Sequence, residues 1–161
     1  MTKTLFSYHF FWNGPFSQWY KSDFIENGKT FCTAEQYMMY HKAKLMGDTD
    51  TADRIMGTRN AKRQKELGRE IKPFDGVKWD EYKERIVYNG NLLKFSQNEE
   101  LKRELLATDN KILVEASPFD TIWGIGMTED EAKNTHPINW RGKNLLGITL
   151  TAVKAAIKDK Q

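Results

Sequence analysis

Strand-like segments stand toward both ends of this chain and helix-like segments fill its middle. That order constrains the fold more than any composition figure. "TLFSYHFFW" and "KILVEAS" read as strands from their aromatic and β-branched content, and "TIWGIG" reads as a second short strand or a turn. "DFIENGKTFCT" reads as a hairpin, because Asn27-Gly28 suits a type I′ turn that needs positive φ at both positions. Helices are expected from Thr33 to a stop at Gly47, near 50–56 and 60–68 with breaks at Gly57 and Gly68, over 79–95, and over "NEELKRELLAT" with Asn98 as its cap. "LLGITLTAVKAAIKDK" gives a last helix. The expected fold is α+β: a mostly helical single domain around a small β-sheet, spanning 1–161. The 161 residues are enough for one core and short for two.

Composition narrows the functional classes. Hydrophobic residues make up 39% and charged residues 29%, which fits a globular chain rather than a disordered one. A net charge of +3 suits an anionic small molecule or nucleic acid without requiring either. The basic excess is local, with Arg54, Arg59, Lys62, Arg63, Lys65, Arg69 and Lys72 between residues 54 and 72, and a solvated helix face is the first explanation for most of them. Cys32 is the single cysteine, so no disulfide and no thiolate zinc site can form within the chain, and its alternating apolar surroundings predict a buried small hydrophobe. His9, His41 and His136 show no metal-ligand spacing. No apolar run matches a signal peptide or a membrane span, so the expectation is a soluble, cytoplasmic protein with no membrane partner.

The segment "TAEQYMMYHKAK" concentrates the chemistry. Thr33 can cap the helix by accepting from the Gln36 N–H, and the Gln36 side chain can reach back, as in a capping box. In projection, Ala34, Met38, His41 and Leu45 form an apolar stripe, with Glu35 and Lys42 at its edge. Seven residues make nearly two turns, so their Cα atoms lie about 10 Å apart along the axis. A half-buried glutamate can act as general acid or base, and a half-buried lysine as an amine nucleophile. From spacing alone, two snorkelling surface charges are the better reading.

Three other segments are candidates. In "SPFDTIWGIG", Asp120 precedes Trp123, Gly124 and Gly126; the aspartate can orient a ribose hydroxyl or simply make a turn. In "NWRGKNLLG", Arg141, Lys143 and Asn144 precede the last helix, where cations and free N–H groups suit a phosphate. "ELGRE" adds Arg69.

The order of these motifs is more specific than any one of them. "FSQW", "TAEQYMMYHKA", "GR", "W-D-x-Y-K", "FDTIWG" and "GKNLLG" follow one another along residues 5–157. This order resembles the NADAR family, also called YbiA-like. The resemblance implies a compact, mostly helical α+β fold and N-glycosidase activity without a cofactor or metal. Its known substrates are ADP-ribose on guanine in DNA and phosphorylated riboflavin intermediates; a non-catalytic ADP-ribose-binding module is the remaining alternative. No obligate protein partner is implied. By position, the resemblance assigns Glu35 to acid/base work, Lys42 to attack on or support of the ribose C1, and Asp120 to the ribose hydroxyls. Phe16, Ser17, Gln18, Trp19, Trp123 and Gly124 fall at the substrate, with Trp123 and either Trp19 or Phe16 stacking on a base, and Arg69, Lys143 and Asn144 at the diphosphate. Three features depart from the family pattern: Gln18 where asparagine is common, His41 where glutamine is common, and a longer 127–139 segment.

Overall fold

A computed structural model describes residues 7–160, which form two compact units. One is Gln18–Glu99; the other joins the residues up to Ser17 with those from Glu100 onward. The architecture is α+β. Residues 4–6 of the first expected strand lie outside the described residues.

The Gln18–Glu99 unit begins with a hairpin of β2 (Phe24–Glu26) and β3 (Lys29–Phe31), antiparallel, with Phe24 opposite Phe31. Asn27 at φ 50° and Gly28 at φ 80° make the expected turn. Phe24, Phe31 and Tyr37 pack as a buried aromatic cluster. Four helices follow: α1 (Ala34–Leu45), α2 (Thr49–Met56), α3 (Ala61–Gly68) and the long α4 (Gly76–Gln97). Thr33 Oγ1 accepts from the Gln36 N–H at 2.9 Å, as expected. The return half of the capping box does not form, because Gln36 Oε1 accepts from the Cys32 N–H at 2.8 Å, one residue earlier. Gln36 Nε2 then donates to Ile55 O and Thr58 O, and Thr33 Oγ1 donates to Gln64 Oε1. These buried, paired groups tie the start of α1 to α2 and α3. Cys32 is buried, as expected.

α3 ends at Gly68, as expected, and an added Cβ there would run into the Met39 side chain. Other helix boundaries correct expectations. α4 starts three residues before the expected 79, because the Asp75 carboxylate accepts from the Lys78 N–H and caps it. Asn98 acts on the preceding helix instead of the following one: its amide donates to Lys94 O at 2.7 Å and closes α4. Lys94 is wholly buried in α4, with its ammonium 5.7 Å from the Tyr20 ring and 5.0 Å from the Phe95 ring, and burial pulls its pKa down to about 7.

The other unit pairs β1 (Tyr8–Phe11) with β4 (Ile112–Glu115) in parallel, Tyr8 opposite Ile112. It also holds α5 (Glu99–Leu106, whose first residue belongs to the other unit), α6 (Glu129–Lys133) and α7 (Leu145–Asp159). "TIWGIG" forms turns. Val114, Ala116, Ile125, Met127 and Ala132 form one buried cluster in it, with Tyr8, Phe10 and Trp140 packed against them. The side of β4 away from β1 is served by α7. The Asn144 carboxamide accepts from Glu115 N and donates to Leu113 O, and Thr151 Oγ1 accepts from Leu113 N. Side chains here satisfy strand groups that a neighbouring strand would otherwise pair. Gly147 allows the close approach, since a Cβ would collide with Leu113 O.

Candidate active site

The first turn and a half of α1 is enclosed on every side: residues 34–39 are all buried. The stripe-and-edge picture therefore fails. Glu35 is only 6% exposed, so it is not a snorkelling surface charge. Its backbone N–H donates to Gln18 O at 2.9 Å, which fixes the "FSQW" loop against the N-terminal end of the helix, where the positive end of the helix dipole favours a carboxylate. Gln18 is itself held by Asn91, whose Nδ2 donates to Gln18 Oε1 at 2.9 Å.

Two turns on, Lys42 is half-buried. Its Nζ donates to Gly68 O at 3.2 Å and lies 4.9 Å from the Phe74 ring and 5.5 Å from the Trp79 ring. Burial pulls its pKa below the ordinary lysine value; the nearby Glu35 carboxylate pushes it up, and the Arg69 guanidinium pushes it down. The sequence-predicted Glu35 and Arg69 are therefore each within electrostatic reach of Lys42. A lysine held in this way has a larger neutral, nucleophilic fraction near neutral pH than an exposed one.

Sequence reasoning missed three contributors: Gly68 O, Phe74 and Trp79 around Lys42. Trp79 carried a signal, as the tryptophan of "W-D-x-Y-K". Phe74 and the Gly68 carbonyl carried none. Asn91, the residue that holds Gln18, lies 73 positions away from it and was also missed.

In the other unit, most predicted residues have structural duties. Asp120 Oδ1 accepts from the Ile122 and Trp123 N–H groups, both at 2.8 Å, which is the turn role. Ser117 Oγ accepts from Phe119 N and Asp120 N and fixes the start of the same turn. Gly124 is packed so that a Cβ would meet Asp120 O, Glu115 O and Ser117 at 3.0 Å. Trp123 is partly exposed. Phe16 is 7% exposed and packs edge-on to His9 and Phe11, so it is core and not a stacking surface. Ser17 donates its N–H to Gly14 O.

The free amides expected at the start of α7 are not there. Lys143 N, Asn144 N, Leu145 N and Leu146 N donate to Thr121 O, Gly124 O, Ile122 O and Trp123 O. The 121–124 turn occupies the place expected for a phosphate, and the Asn144 side chain is on β4. Lys143 keeps an exposed side chain.

Comparison with known proteins defines the class. The sequence matches the NADAR domain family over residues 8–158, and the chain belongs to that family. An N-glycosidase of Acanthamoeba polyphaga mimivirus is 48% identical over 144 residues, covering 86% of this chain and 85% of the viral protein. The chloroplastic riboflavin biosynthesis protein PYRR of Zea mays is 33% identical over 118 residues, covering 68% of this chain and 19% of the maize protein. The NMR structure of the E. coli protein YbiA superposes with a TM-score of 0.78 at 26% identity, covering 96% of this chain and 86% of that one. Among the described residues no helix is long and apolar enough to cross a membrane.

Proposed function

We propose that this chain removes ADP-ribose from guanine in DNA by hydrolysing the N-glycosidic bond, with Glu35 and Lys42 at the ribose C1. The chain is an N-glycosidase, as the family and its relatives indicate. The observation that supports the choice of catalytic pair is Lys42 itself: an amine depressed by burial, held on Gly68 O and within electrostatic reach of buried Glu35.

Cleavage passes through an oxocarbenium-like state in which positive charge grows on the sugar and electrons move to the leaving base. In this scheme Glu35 gives its proton to the base as the C1–N bond breaks. Neutral Lys42 attacks C1; the C1–O4 bond then breaks as a proton passes from Nζ to O4, leaving a protonated Schiff base on Nζ. Water, deprotonated by Glu35, adds to C1, and collapse of the adduct with proton return to Nζ releases ADP-ribose and restores the amine. Within Gln18–Glu99, Trp19 supplies a stacking face and Arg69 a cation for the diphosphate. For Asp120, Trp123 and Lys143 of the other unit, the roles are those that the family resemblance implies: a ribose hydroxyl, a base face and the diphosphate.

The test is incubation with ADP-ribosylated DNA and chromatography of the released ADP-ribose. Release that is lost in Glu35→Gln and Lys42→Ala supports the reading, and full activity in both overturns it. Borohydride trapping of an adduct on Lys42 separates covalent attack from electrostatic support. A second reading, cleavage of a phosphorylated riboflavin intermediate, is favoured by the likeness to the maize riboflavin biosynthesis protein. Turnover of both substrates side by side decides between them.

A further inference from the structure

The cations of the stretch 54–72 differ in their partners. Some are neutralised within the fold: Arg63 lies 3.7 Å from Glu66 and 3.6 Å from Glu70, Arg54 pairs with Glu70, and Arg59 with Asp23. Lys62, Lys65 and Arg69 are exposed, and among the described residues none has a carboxylate within ion-pair distance. Positions 62, 65 and 69 fall within an arc of roughly 60° on a helix, so they form one stripe along α3 and its cap.

Aromatic surface borders the stripe. The Lys65 ammonium lies 6.0 Å from the Trp19 ring, and Trp19 remains 44% exposed. Both ends of the assembly adjoin the catalytic pair. Trp19 follows Gln18, whose carbonyl holds the Glu35 N–H, and Arg69 is close enough to depress the Lys42 pKa. A row of uncompensated cations beside an exposed indole has the chemistry that tracks a phosphodiester backbone and stacks an unpaired base. A small anionic substrate would need only one such cation; Lys62 and Lys65 extend the row up to two helical turns beyond Arg69.

We infer that Lys62, Lys65 and Trp19 form a docking track for single-stranded nucleic acid that leads the modified base to Glu35 and Lys42. The inference rests on the DNA reading of the substrate. An exposed indole selects single strands because paired bases offer no free face to stack on it.

The test uses unmodified oligothymidylate of about fifteen nucleotides, within the range such tracks cover, so it does not depend on glycosidase activity. Affinity is measured by fluorescence anisotropy across a salt series. The expected result is a salt-dependent affinity whose log–log slope shrinks by about 1.4 in Lys62→Ala/Lys65→Ala, since each lost single-strand phosphate contact removes about 0.7. Trp19→Ala is expected to weaken binding about tenfold at every salt concentration while keeping the slope. Arg63→Ala, already neutralised by Glu66 and Glu70, keeps the wild-type slope. A wild-type slope in the double lysine variant, or no binding by the wild-type chain, overturns the track. Binding of a duplex as tightly as the single strand, without loss in Trp19→Ala, overturns the single-strand assignment. If the slopes behave as expected but no ADP-ribose is released from modified DNA, the track stands and the substrate reading falls.

Discussion

The motif residues of the two units differ in what their polar atoms do. In Gln18–Glu99, the backbone near Glu35 and Lys42 is held by other residues: Gln36, Gln64 and Asn91 fasten the loops. In the other unit, Asp120, Ser117 and Asn144 are themselves the fasteners, with their oxygens and nitrogens on backbone groups of the 117–124 turn and β4. A motif can therefore mark either the reacting group or the brace that shapes a loop. Burial of an ionisable side chain marks a candidate for the former, and side-chain atoms spent on backbone groups mark the latter.

The comparison makes its largest claim about activity. Glu35→Gln should lower ADP-ribose release by on the order of 10²–10⁴-fold, measured in single turnover, with little change in thermal unfolding. A variant that loses stability as much as activity would place Glu35 among the braces. Asn144→Ala should behave the opposite way. It leaves the Glu115 N–H and the Leu113 carbonyl unpaired beside a buried strand, at a cost of about 2–4 kcal/mol, read by urea denaturation. Normal stability with lost turnover would break the distinction.

Lys94 sharpens the contrast from within the first unit, as a buried amine given no catalytic role. Its folded pKa of about 7 lies below the ordinary 10.5, so above pH 7 the unfolded chain binds the extra proton. Stability from this group therefore rises as pH goes from about 7 toward 10.5. Denaturation midpoints across that range should show the rise, and Lys94→Met should flatten it.

The smallest effect concerns Arg69. Its positive charge disfavours the ammonium of Lys42, so Arg69→Gln should move the Lys42 titration to higher pH. Competitive labelling of the Lys42 amine against pH reads this without turnover. A shift downward would show that Arg69 acts on Lys42 through something other than charge.

What could be read from the sequence was local. The Asn27-Gly28 turn, the Thr33 cap and the Gly47 stop each depend on residues within a few positions, and the structure keeps them. The burial of Glu35 was not legible, because α1 packs against α2, α3 and α4, whose residues lie further along the chain. Asn144 was misread for a related reason: its partners lie on β4, 29 and 31 residues earlier, and nothing in "GKNLLG" points there. The ordered motifs carried the family, while the allocation of hydrogen bonds needed the fold.

The parallel pairing of β1 with β4 also sets a timetable for synthesis. Tyr8 leaves the ribosome roughly a hundred residues before its partner Ile112. At about 5–20 residues per second, β1 waits on the order of 5–20 s without the strand it pairs with. The hairpin and helices of Gln18–Glu99, whose partners are nearer in the chain, can form during that interval. The unit that holds Glu35 and Lys42 is thus the first to be complete, while β1 presents an unpaired edge that a nascent-chain chaperone would meet.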